Sequence, residues 1–197
     1  MGYDLHMRRT PRRIPPGFEP QYEGQPEYFR FNIYGMQSMR QIMLRAELFD
    51  DDVDVDWPEF PPAGWDEERA WLLVDAIDAE RAEGSADPDG ALEIEPPPTL
   101  PERVAVTNYL AARDAVRAVR SPNPRLVPAV KLCSNDGWLV TPEECAILAA
   151  GLRRALDESG PALWEGEDLT DHEARRWVEQ WIAYNELAAD NGGYHVY

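Results

Sequence analysis

Ten polar side chains, Asp4, His6, Arg8, Tyr28, Arg30, Asn32, Lys131, Cys133, His195 and Tyr197, occupy positions that a two-residue alternation would gather on one face of a β-sheet. They include two of the three histidines and the only lysine of the chain. Guanidinium and ammonium groups hold carboxylates and phosphates, and an imidazole carries a proton near neutral pH. In that pattern Arg8, Arg30 and Lys131 are charge partners for a small anion or acid, with His6 or His195 as proton carriers. The set is net positive, although the whole chain has a formal net charge of −18. The plainer reading of the same residues is a wet, chemically mixed face, which antiparallel sheets often keep.

The elements that must position these groups are read from their apolar neighbours. Tyr3, Leu5 and Met7, then Phe29, Phe31 and Ile33, alternate with polar residues, so strands are expected over Gly2–Arg9 and Tyr28–Ile33. Val130 and Leu132 predict a strand over Val130–Ser134, which Asn135-Asp136-Gly137 reverses into a second strand at Trp138–Val140. Tyr194 and Val196 predict a short terminal strand. Thr141 and Glu144 form a capping-box pattern around Pro142, and Cys145, Leu148, Leu152 and Ala155 continue it as one buried helical stripe ending near Gly160. Further helices are expected from Met36 to about Phe49 on a methionine stripe, from Asp66 to about Glu83, from Thr99 to about Val119, and after Thr170. The expected architecture is one α+β domain over residues 1–197. It has a small mixed or antiparallel sheet, four to five helices on the apolar face, and acidic or proline-rich surface loops at 50–62 and 85–100.

Charge is distributed unevenly. Residues 45–100 carry eighteen Asp and Glu against three Arg, net −15, whereas residues 1–44 are net +2 and residues 101–197 net −5. Such a segment repels a nucleic-acid backbone or an anionic membrane, so neither is expected as a direct partner. Asp50, Asp52, Asp54 and Asp56 alternate as at the start of a calcium loop. The glycine and glutamate that such a loop needs at its sixth and twelfth positions are Val55 and Pro61 here. The four aspartates therefore read as a solvated loop and as candidate contacts for a basic protein surface. No metal or cofactor is expected.

Familiar chemistries find no motif. There is no Gly-rich phosphate loop, no G-x-S-x-G, no H-E-x-x-H and no C-x-x-C pair. Cys133 and Cys145 are too few for a secreted disulfide framework and read as reduced thiols of a cytoplasmic protein. The N-terminal stretch lacks the apolar run of a secretory signal, and no stretch approaches the ~18 apolar residues of a membrane span.

The segments YFRFNIYGM (Tyr28–Met36), KLCSNDGWLVTPEE (Lys131–Glu144) and WIAYNELAADNGGYHVY (Trp181–Tyr197) together resemble an uncharacterised family of small acidic proteins associated with actinobacteria and their phages. They cover about a fifth of the chain, and the acidic middle has no counterpart in the resemblance. The resemblance implies fold boundaries and no catalytic residue. Two function classes remain open. One is a cytoplasmic, non-catalytic binding protein, of the inhibitor or charge-mimic kind, whose acidic middle docks on a basic partner. The other is a small-ligand binder or an enzyme for an anionic substrate, using the polar sheet face.

Overall fold

Alternating apolar residues and well-capped helices give six strands and five α-helices in a computed structural model that describes residues 2–15, 18–83 and 94–197, with the backbone alone at 82 and 83. The strands are β1 (Gly2–Met7), β2 (Tyr28–Asn32), β3 (Phe49–Asp50), β4 (Val127–Pro128), β5 (Trp138–Val140) and β6 (Tyr194–Val196). The helices are α1 (Ile33–Arg45), α2 (Glu67–Glu83), α3 (Leu100–Arg117), α4 (Pro142–Ser159) and α5 (Asp171–Asp190). The fold class is α+β. The chain divides into two compact units, Met1–Asp54 with Arg117–Tyr197, and Val55–Val116.

The first unit holds the sheet, in the order β2-β1-β6-β5 with every pair antiparallel. The chain's last strand thus lies between its first strand and β5. Leu5 pairs with Phe29 on one side and Val196 on the other, and Trp138 and Val140 continue the row opposite Val196 and Tyr194. Those apolar side chains lie under Trp181 and Tyr184 of α5, with ring centroids 5.0 to 5.8 Å apart across Phe29, Phe31 and Tyr194. Met36, Met39 and Met43 of α1 are fully buried, so the methionine stripe fills core space. Asn32 ends β2 and caps α1, its Oδ1 accepting from the Gly35 N–H at 2.6 Å. Ile33, expected to point inward from the strand, is instead the first helical residue and is exposed.

One strand assignment is overturned. Val130–Ser134 forms no strand; Ala129–Leu132 is a 3-10 turn, and the neighbour of β5 is β6. In a 3-10 turn residues three apart eclipse, so Ala129 and Leu132 reach one side together without any alternation. The short run Ala-Val-Lys-Leu fits either pattern, and the terminal strand takes the place on the sheet. Val127–Pro128 just before it pairs in parallel with Phe49–Asp50.

The second unit is built on α2 and α3. Asp66 starts α2 by accepting from the Arg69 N–H at 2.8 Å. Thr99 and Glu102 exchange capping-box bonds at the start of α3, with Thr99 N–H donating to Glu102 Oε2 at 2.7 Å. Leu73, Val74 and Ile77 form a core with Val106 and Leu110, flanked by Phe60, Trp65, Ile94 and Tyr109. Residues 51–65 carry no helix or strand. Gly84, expected to close α2, and residues 85–93 of the second expected loop lie outside the described residues. Among the described residues no helix is long and apolar enough to cross a membrane.

Candidate functional site

Most of the expected sheet face forms. Across β1 and β2, Asp4 lies opposite Arg30, His6 opposite Tyr28 and Gly2 opposite Asn32; across β1 and β6, His6 lies opposite His195. Direct cross-strand partners share a face, so these side chains stand together on the side away from the core. Tyr197 extends the ladder through reciprocal backbone bonds with Asp4 of 2.6 and 2.7 Å. The His6 ring lies 4.8 Å from that of Tyr28 and 6.0 Å from that of Tyr197, and Tyr22 lies 5.1 Å from Tyr28. The Tyr28 hydroxyl donates to Asp4 Oδ1, and Arg30 Nε stands 3.6 Å from the same oxygen. Burial, then the Asp4 bond and charge, push the Tyr28 phenol up to about 12. His195 Nδ1 lies 3.2 Å from the Gly137 carbonyl oxygen. Arg8 follows the last residue of β1, exposed, with its backbone N–H on Gly193 O at 3.0 Å.

Lys131 and Cys133 are not on this face. Lys131 belongs to the 3-10 turn and is fully buried, its ammonium 2.8 and 2.7 Å from the two Glu144 oxygens and 2.7 Å from Leu139 O. Burial pulls its pKa below the ordinary lysine value, and Glu144 opposes that shift. Cys133 is half-buried after the turn, its thiol on Ala129 O at 3.0 Å, and burial raises its pKa. Cys145 is buried and free, its thiol pushed up by desolvation. The anion site in its expected form therefore fails. One of its three cations is buried with Glu144, a second is shared with Asp4, and Asn32 is occupied in capping α1.

A groove of about 440 Å³ runs along β2 instead, lined among others by Arg30, Asn32, Gly35, Arg176, Trp177 and Gln180. The segment before β2 borders it through three side-chain links. Gln21 Oε1 accepts from the Arg30 N–H at 2.8 Å, Gln180 Oε1 accepts from the Glu19 N–H at 3.2 Å, and Arg176 meets Glu19 at 3.4 Å. Among the described residues no group of three or more His, Cys, Asp and Glu is placed to hold a metal ion.

The acidic residues separate into two kinds. Asp50 is half-buried in β3, accepting from the Ser121 hydroxyl and from the Asp52 N–H at 3.1 Å, so it organises its loop. Asp52, Asp54 and Asp56 are exposed. In the second unit, fifteen Asp and Glu against four Arg leave a net charge of −11. Every one of those arginines is engaged inside the unit: Arg69 with Glu102 at 3.0 Å, Arg81 with Asp114 at 2.7 Å, Arg103 with Glu80 at 3.1 Å and Arg113 with Asp78 at 2.7 Å. Glu67, Glu68 and Asp75 remain exposed and outside these pairs. Sequence reasoning located the charge but missed its apolar company. Trp71 and Leu72 of α2 are exposed, and the Trp71 ring lies 5.4 Å from Phe60 and 5.9 Å from Tyr109. The available signal was α2's own pattern, in which Trp71 and Leu72 fall off the stripe of Ala70, Leu73, Val74 and Ile77.

No family model matches the chain, and no curated protein and no solved structure is significantly similar to it.

Proposed function

We propose that the protein is a cytoplasmic, non-catalytic binding protein whose acidic middle docks on a basic protein surface, in the manner of an inhibitor or a charge mimic. One observation carries this reading. All four arginines of the Val55–Val116 unit are engaged in ion pairs within the unit, and among the described residues the acids outside those pairs, Glu67, Glu68 and Asp75 among them, face solvent. The exposed pairs among them, Arg81–Asp114 and Arg103–Glu80, contribute roughly 0.2–1 kcal/mol each, so their larger effect is on the shape of the surface potential. A surface of one sign attracts the opposite sign over a Debye length and raises the association rate.

The groove along β2 supports a second, lesser reading, a small anionic ligand held near Arg30 and Arg176, both of which already face carboxylates. Affinity capture from cells of the native host, with mass spectrometry of the protein and small-molecule fractions, tests both. The first reading expects a basic protein that is retained at low salt, released at high salt, and lost when Glu67, Glu68 and Asp75 are changed to Gln, Gln and Asn. Retention of a small acid, with no salt-sensitive protein, overturns it in favour of the second.

A further inference from the structure

The two-helix unit exposes large apolar side chains among its acids. One face of α2 buries Ala70, Leu73, Val74 and Ile77. The other reads Glu68, Trp71, Leu72, Asp75 and Ala79 at three- and four-residue steps, all exposed. Trp71 is 39% and Leu72 44% exposed, side by side in the sequence. Trp71 is also held in place. Its ring contacts Phe60 and Tyr109, which stack on each other at 4.5 Å, and Phe60 in turn meets Trp65 at 6.0 Å. An exposed tryptophan fixed by neighbouring rings has little freedom to lose on binding. That is the character of residues that dominate interface energies. Glu67, Glu68 and Asp75 lie within about one turn of it and are outside the unit's ion pairs.

We propose that this face of α2 receives a basic segment of another protein that carries an aliphatic or aromatic side chain between lysines or arginines. The apolar side chain seats on Trp71 and Leu72, and the flanking cations meet Glu67, Glu68, Asp75 and the Trp71 ring. This rests on the reading of the acidic unit as a docking surface and adds what the partner must carry. Charge selects the occupant, because a neutral apolar segment would leave three carboxylates facing it unpaired. Arg8, Arg9, Arg12 and Arg13 of the chain itself are exposed, so a second copy is the competing occupant.

The test uses the full chain and two synthetic 18-residue peptides of equal positive charge, one an amphipathic Leu/Lys helix and the other Ser/Lys. Titration at about 0.1 M salt should show the Leu/Lys peptide binding at least roughly tenfold tighter, as one well-placed anchor implies. The variant Trp71→Ser with Leu72→Ser should erase that preference and leave Ser/Lys binding unchanged. Leu72→Ser alone, with the ring cluster intact, should remove part of it, which guards against a folding defect in the double variant. Equal binding of both peptides to the unmodified chain overturns this inference and leaves the electrostatic docking reading standing. Binding of neither overturns both. Concentration-dependent self-association of the unmodified chain, abolished by the double variant, makes a second copy the occupant and overturns the separate partner.

Discussion

Lys131 places its ammonium 2.7 to 2.8 Å from both carboxylate oxygens of Glu144 with no access to solvent. Glu144 is also the residue that completes the helix cap, accepting from the Thr141 N–H at 2.8 Å. One carboxylate therefore fastens the 3-10 turn to the start of α4. Lys131→Met leaves Glu144 buried without its counter-charge and should destabilise the protein by about 3–5 kcal/mol in denaturant unfolding. Lys131→Met combined with Glu144→Gln should lose about 1–3 kcal/mol less than the sum of the two single changes. Additive losses would mean that the pair does not act as one.

Glu102 ties α3 to α2, and the Arg69 hydrogen bond followed by those from Thr99 lowers its pKa from 4.5 to about 2. A carboxylate whose pKa is depressed on folding stabilises the fold fully above its ordinary value and loses that contribution as pH falls through the folded value. The protein should therefore lose stability between about pH 4.5 and 2 more steeply than Glu102→Gln does. Parallel melting-temperature curves for the two across that window would contradict the assignment.

Gly193 sits at the entry to β6 with φ +79°, where a Cβ would lie 2.1 Å from the Val140 carbonyl oxygen. Gly193→Ala combines a left-handed backbone with a backbone clash, and should cost at least about 2 kcal/mol. Because β6 lies between β1 and β5, the amides of all three strands should lose protection from hydrogen exchange together. A local loss at residues 193–196 alone would show that the sheet does not depend on this turn.

Much of the fold was legible because local signals agreed with one another. The Thr141–Glu144 box, the Asp66 cap and the alternations in β1, β2 and β6 each specify type and boundary within a few residues. The sheet face was legible for the same reason, since period two places His6, Arg30 and His195 once Leu5, Phe29 and Val196 are buried. Lys131 was not legible. In a run as short as Ala129–Leu132 the apolar residues fit a strand or a 3-10 turn, and only the tertiary partner Glu144, thirteen residues on, decides. The exposure of Trp71 and Leu72 was open to the sequence, because both fall off the stripe of Ala70, Leu73, Val74 and Ile77 that α2 buries. The ring cluster was not, since Phe60 and Tyr109 reach Trp71 from distant parts of the chain.

The central claim is that the exposed acids of the middle segment guide association with a basic partner. It is tested most directly by the association rate of the captured protein, measured between 0.1 and 1 M salt, where the Debye length falls from about 10 Å to about 3 Å. Asp50 is left intact in this test because it accepts from Ser121 and from the Asp52 N–H, and its loss should instead lower the melting temperature. Changing Asp52, Asp54 and Asp56 to Asn, together with Glu67→Gln, Glu68→Gln and Asp75→Asn, should slow association at low salt by about tenfold or more and leave the melting temperature within a few degrees. The unmodified chain should slow to the same rate at 1 M salt. An association rate indifferent to both the substitutions and the salt would contradict the account.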